Sequence, residues 1–228
     1  MSEFESLIDG GSAQSKARVI NSEAPSATPE KKESLGRLEA FSDGIFGVAI
    51  TLLLIDLKTP PEPTWSSLLG ALPDMGLYLL SFLYVGIYWT NHHNFVGAST
   101  GLSGMILWAN NMLLFMISLM PWSTRWLGES DFEKPVPAAI YGVNLLLAAV
   151  AFTLLTELLV RRTTQHTGQP PFPNRKRGFL SGVVSCLMYS TGIGISFWQP
   201  LGAVAIYLAV ALYWMIPVIF NLRWLAGQ

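Results

Sequence analysis

Long apolar runs separated by short polar stretches dominate this chain. The first opens at residue 37 with three charged side chains, Arg37, Glu39 and Asp43, and is then apolar or small from 44 to 55. About 21 residues rising about 1.5 Å each cover about 31 Å, close to the roughly 30 Å hydrocarbon core of a bilayer. Similar runs follow at about 66–91, 102–122, 138–160, 178–198 and 200–223. The pattern predicts an all-α membrane protein with six transmembrane helices over residues 35–228.

The first run is uneven around its axis. At about 100° per residue, Gly44, Val48, Thr51 and Ile55 share one face within about 60°. That face is small or branched, with one hydroxyl and no charge. Asp43 lies roughly 80–140° away, on the side of Gly47, Ile50 and Leu54. A carboxylate in a span costs a few kcal/mol, so Asp43 needs a partner. Two readings stand: Arg37, Ser42 and Asp43 anchor the helix at headgroup level, or Asp43 belongs to a buried clamp between helices.

The connections refine the picture. Prolines at 60, 61 and 63 make a stiff turn after the first run. The second run ends on Trp89 and Asn91-His92-His93-Asn94. Consecutive spans are antiparallel, which puts Trp89, His92 and His93 at the depth of Arg37 and Asp43, with His92 or His93 expected to complete the hydrogen bonding of Asp43. Adjacent histidines point about 100° apart on a helix, and with no third ligand nearby a metal site is not expected. Asn110 and Asn111 are read as helix-to-helix amides. Residues 123–137 read as a solvated loop, with Arg125, Glu129, Asp131, Glu133 and Lys134. Glu157 and Arg161, at i and i+4, predict an ion pair. Gly178, Gly182, Cys186, Ser190 and Gly194 recur every four residues and predict a close helix contact. Tyr207, Tyr213, Trp214 and Trp224 read as interfacial anchors.

Composition narrows the class. The chain has 228 residues, 51% hydrophobic and 13% charged, and a mean hydropathy of +0.41, too apolar for an ordinary soluble domain. A net charge of −1 gives no basic excess for a nucleic-acid partner. The lone Cys186 forbids an internal disulfide. Residues 1–34, rich in Ser, Glu, Ala, Pro and Lys, are expected to form a disordered cytoplasmic tail, without the apolar core of a cleavable signal peptide. With the amino terminus inside, the inner segments carry 11 Lys and Arg against 3 outside, which predicts a multi-pass protein of the plasma (inner) membrane with both termini cytoplasmic.

The sequence Arg37-x-x-x-Phe41-Ser42-Asp43-Gly44 at the start of a first span resembles the signature of the transmembrane protein 175 family of potassium channels, whose bacterial members carry one six-helix repeat. The resemblance covers roughly residues 37–224. It implies a homotetramer in which the first helix of each subunit lines a central pore. Family positions five, eight and twelve after the motif aspartate, which line that pore, fall here on Val48, Thr51 and Ile55. Val48 is smaller than the isoleucine or leucine expected, which moves the tightest ring to Leu52 or Ile55 or leaves a leakier pore. The resemblance also implies that Arg37, Phe41, Ser42 and Asp43, with Trp89, His92 and His93, hold the lining helix in place.

No nucleophile–base pair and no carbonyl filter of the TVGYG type is present, so no enzyme is expected and selectivity should rest on side chains. The reading is a potassium-preferring cation channel with no cofactor beyond the permeating K+, whose partners are its own copies, membrane lipids and monovalent cations. A proton-coupled transporter or proton pathway using Asp43, His92 and Glu157 is the alternative. A non-conducting scaffold built on the small-residue stripe is a third.

Overall fold

The computed structural model describes residues 29–169, 171 and 175–225, with side chains over 33–169, 171 and 178–215. Most of the tail expected over residues 1–34, and Trp224 as an anchor, lie outside the described residues or side chains. Residues 29–34 are helical.

The described residues form eight helices and no strand: α1 Pro29–Ile55, α2 Trp65–Gly70, α3 Leu72–Gly97, α4 Gly104–Ser118, α5 Met120–Glu129, α6 Pro135–Thr167, α7 Arg175–Ser196 and α8 Pro200–Leu225. Among them 4 stretches are long and apolar enough to cross a membrane: Glu33–Ile55, Gly104–Glu129, Pro135–Thr167 and Gly178–Ser196. The other two expected crossings correspond to α3 and α8. α3 has 26 residues but is diluted by tyrosines and by the Asn-His-His-Asn stretch, and α8 counts as a shorter apolar helix over Pro200–Met215.

Local chemistry sets the breaks. Thr64 caps α2 by accepting from the Ser67 N–H at 3.2 Å, and Pro73 sits in the first turn of α3. α3 does not close at Asn91. Thr90 and Asn91 return their polar groups to the Gly86 and Ile87 carbonyls at 2.9 and 2.8 Å, so the helix carries them on to Gly97. α6 starts on Pro135 and stops at Gly168, whose φ of 73° is the left-handed cap that glycine favours.

Residues 123–137 are not a solvated loop throughout. α5 runs to Glu129 and buries Met120, Ser123, Thr124 and Leu127, leaving only a short turn before Pro135. The charges of this stretch are exposed on one side of a helix whose other side repeats every three to four residues, a period that counting charges misses.

The core lies along α6. Tyr84, Tyr141, Tyr189 and Tyr207 are all buried and meet ring to ring, with centroids 5.8 Å apart for Tyr141 and Tyr207 and 6.3 Å for Tyr189 and Tyr207. Tyr207 is therefore no interfacial anchor. Its ring lies between two glycines: a Cβ on Gly142 or Gly192 would meet it at 2.0 or 2.5 Å. The four-residue stripe on α7 is likewise corrected. Steps of four drift by about 40° each on a helix, so the stripe leaves the interface. The face that packs carries Gly182, Ser185, Tyr189, Gly192 and Ser196, while Gly178 and Ser190 are exposed. Gly182 gives the close approach, since a Cβ there would stand 2.9 Å from the Thr153 hydroxyl.

Candidate pore-lining helix and its clamps

α1 has two sharply different sides. Leu38, Ser42, Phe46, Ala49 and Leu53 are all buried and spaced four, four, three and four apart, a stripe about 80° wide that packs on the bundle. Gly44, Val48, Thr51 and Ile55 stand on the opposite side, about 120–180° from the centre of that stripe, and all four are exposed within the subunit. Val48 is 55% and Ile55 75% exposed. Leu52 lies on the shoulder between the two sides, also exposed. From 44 to 55 the outward side carries no charge and one hydroxyl, that of Thr51. This hydroxyl donates back to the Val48 carbonyl at 2.8 Å, one residue nearer than the usual return to the fourth residue back, Gly47.

The packed side is fixed by a buried polar chain. Ser42 donates to the Leu38 carbonyl at 2.8 Å and accepts from the Asn110 amide at 3.1 Å. The Asn110 carbonyl in turn is 2.7 Å from His92 Nε2. An amide oxygen only accepts, so Nε2 carries the proton. The His92 ring is buried and leans on Phe46, with centroids 5.6 Å apart. Asn110 on α4 thus joins α1 to α3. The sequence marked it as a helix-to-helix amide but could not name its partners.

A second set of contacts holds the start of α1 from the side. Trp89 Nε1 donates to Asp43 Oδ1 at 2.9 Å, and His93 Nδ1 lies 2.5 Å from Glu39 Oε1. Trp89 and His93 stack, their centroids 6.2 Å apart and their planes within 26°. Neither histidine completes Asp43, as the sequence led one to expect; the indole does. The reason is register. Glu39 and Asp43 are four apart on α1, and His93 and Trp89 are four apart on the antiparallel α3, so the pairs align, while His92 is turned about 100° into the bundle. Glu39, among the charged residues at the start of α1, is the member whose role the sequence left unread.

Arg37 and Phe41 do not join this network. Both are exposed, and among the described residues the Arg37 side chain has no hydrogen bond or ion pair. The motif thus divides into Ser42 and Asp43, which bind the subunit's own helices, and Arg37 and Phe41, which face outward. Glu157 is tied to Arg161 at 2.6 Å, as their spacing predicts. Among the described residues no group of three or more His, Cys, Asp or Glu could hold a metal ion.

The far end of α1 is also tied. Arg125 on α5 reaches Asp56 Oδ1 through Nη1 at 3.3 Å and Glu129 Oε1 through Nε at 2.9 Å. Arg125 and Asp56 line a small cavity there with Leu53, Lys58, Asp74 and Glu129.

Residues 37–121 match the family described as the endosomal/lysosomal potassium channel TMEM175. The chain is 41% identical to a protein of a Chryseobacterium species named a potassium channel, over 80% of this chain and 93% of that one. It is 30% identical to the zebrafish endosomal/lysosomal proton channel TMEM175, over 60% of this chain and 30% of the zebrafish protein. Its fold superposes with a TM-score of 0.70, at 25% identity, on the crystal structure of a lysosomal potassium-selective channel TMEM175 homolog from Chamaesiphon minutus, covering 81% of this chain and 98% of that one.

Proposed function

The chain belongs to the TMEM175 family of membrane ion channels, and from that premise we propose that it is a potassium-preferring cation channel whose pore is lined by α1. The observation that carries the reading is the uncharged outward side of α1, opposite its packing stripe. The pore forms at the axis of a homotetramer in the plasma membrane, with both chain termini in the cytoplasm. Copies of α1 around that axis turn Val48, Thr51 and Ile55 into rings, with Leu52 on the shoulder. Apolar rings gate by dewetting, and a ring of hydroxyls replaces part of an ion's hydration shell. Because Val48 is small, the tightest ring sits at Leu52 or Ile55, and selectivity is modest. The buried Ser42–Asn110–His92 chain and the Trp89–Asp43 and His93–Glu39 contacts set the angle at which α1 meets the axis.

A proton pathway through Asp43, His92 and Glu157 has the zebrafish relative's name in its favour. Each of those side chains, however, is engaged by a different partner: Trp89, Asn110 and Arg161. The potassium reading is favoured by the greater identity and coverage of the Chryseobacterium relative.

Paired substitutions on α1 test the pore side. Purified protein in liposomes under a potassium/sodium gradient should show a reversal potential directed toward potassium. Thr51→Ala should move that potential toward zero, whereas Leu54→Ala, about 60° away on the same exposed half, should leave it within a few millivolts of wild type. Equal effects of the two, or none from Thr51→Ala, would remove Thr51 from the pore.

A further inference from the structure

α1 is bound by polar contacts at its two ends and, apart from Ser42, by apolar packing between them. The packed positions past Ser42 are Phe46, Ala49 and Leu53, which hold without fixing a rotation or a height as a hydrogen bond would. At the far end the helix closes on Asp56, whose N–H still bonds to the Leu52 carbonyl at 3.1 Å. A carboxylate there faces the negative end of the helix dipole, and the last turn of α1 carries no basic residue to offset it. The compensating charge comes from another element. Arg125 of α5 reaches Asp56 at 3.3 Å, and its own position is set by Glu129 one turn on, at 2.9 Å. α5 is itself seated against α3: a Cβ on Gly128 would stand 3.3 Å from the Asp74 carboxylate and 3.5 Å from Leu77. Asp56 directly follows Ile55, the most exposed of the proposed apolar pore residues.

We propose that Arg125 is a positioning residue for conduction: its ion pair with Asp56 holds the far end of the lining helix back against its own bundle and keeps the Ile55 ring open. The inference rests on the channel reading given above. Asp56 lies within about 40° of the packing stripe, and Ile55 is turned about 100° from it toward the outward side. A tie at Asp56 therefore pulls the helix away from the axis. Without it the apolar Ile55 side chains of neighbouring subunits bury against one another and the ring dewets.

The test uses the full chain in liposomes, in a Cys186→Ser background with a spin label at Thr59→Cys, so that helix mobility and potassium flux are read on one preparation. Arg125→Gln and Asp56→Asn should each increase label mobility and lower flux at least threefold. The exchanged pair Asp56→Arg with Arg125→Asp should return both to within twofold of the parent. Arg125→Lys, which keeps the charge, should retain the parent's mobility; should the exchanged pair not assemble, this variant decides. Unchanged mobility in the single variants, no recovery in the exchanged pair, or a lysine variant as mobile as the glutamine one would overturn the tie. Absence of flux in the parent would instead sink the channel reading, and label mobility would still decide whether Arg125 holds α1.

Discussion

Asn110 is the residue on which three helices depend. Its amide donates to Ser42 of α1 and accepts from His92 of α3, both buried. Truncation to alanine leaves the His92 Nε2–H without an acceptor, and an unsatisfied buried donor costs about 1–3 kcal/mol. Asn110→Ala should therefore lower the thermal unfolding midpoint of the detergent-solubilised protein, and Ser42→Ala should lower it less, since it breaks only the link to α1 and leaves the Asn110–His92 bond in place. An unchanged midpoint in Asn110→Ala would contradict this. At this scale the sequence was informative where partners are local. Glu157 and Arg161 pair through their spacing alone. The partner of Asp43 was not legible, because an indole donor and two histidines lie within one turn of α3 and only the register of α1 against α3 selects among them.

The elements tell a similar story about period. Strict spacing by four on α7 looked like one contact surface, yet only Gly182 of that stripe makes the close approach, because the packed face advances by threes and fours. α5 was hidden by its own charges, since Arg125 and Glu129 occupy the outer side of a helix whose inner side is buried. α1 was legible in its end near the proline-rich turn and in its two faces, but not in its start, since the helix begins at Pro29, within the stretch expected to be a disordered tail. What the sequence omitted is how its start is held. Trp89→Phe keeps the aromatic ring beside His93 and removes one donor to Asp43. A bond worth about 1 kcal/mol corresponds to about a fivefold change in local opening. Amide exchange over residues 37–43 should accelerate by about that factor in Trp89→Phe while α6 is unaffected. Uniform acceleration across the protein would mean that Trp89 supports the whole bundle and not the start of α1.

In the whole molecule, two of the membrane-length helices are poorly covered by their own subunit: 28% of the apolar window is buried for α1 and 22% for α7. α7 presents Phe179, Leu180 and Leu187, and the turn after it Phe197 and Trp198, bulky groups suited to lipid. α1 presents Gly44, Gly47 and Thr51 among the larger Phe41, Val48, Leu52, Leu54 and Ile55. Six crossings and their orientation are what run length and charge predict; of the six, 4 meet the length and composition of a span in the described residues, and α3 falls short because aromatic and amide side chains occupy its second half. The identity of the permeating ion separates the channel from the proton pathway. The most direct measurement is the reversal potential of the wild-type protein in liposomes, with opposed potassium and proton gradients and sodium as the counter-cation. The potential should follow the potassium gradient and stay put when the proton gradient is reversed. A potential that follows the proton gradient would contradict the potassium channel and favour the proton pathway.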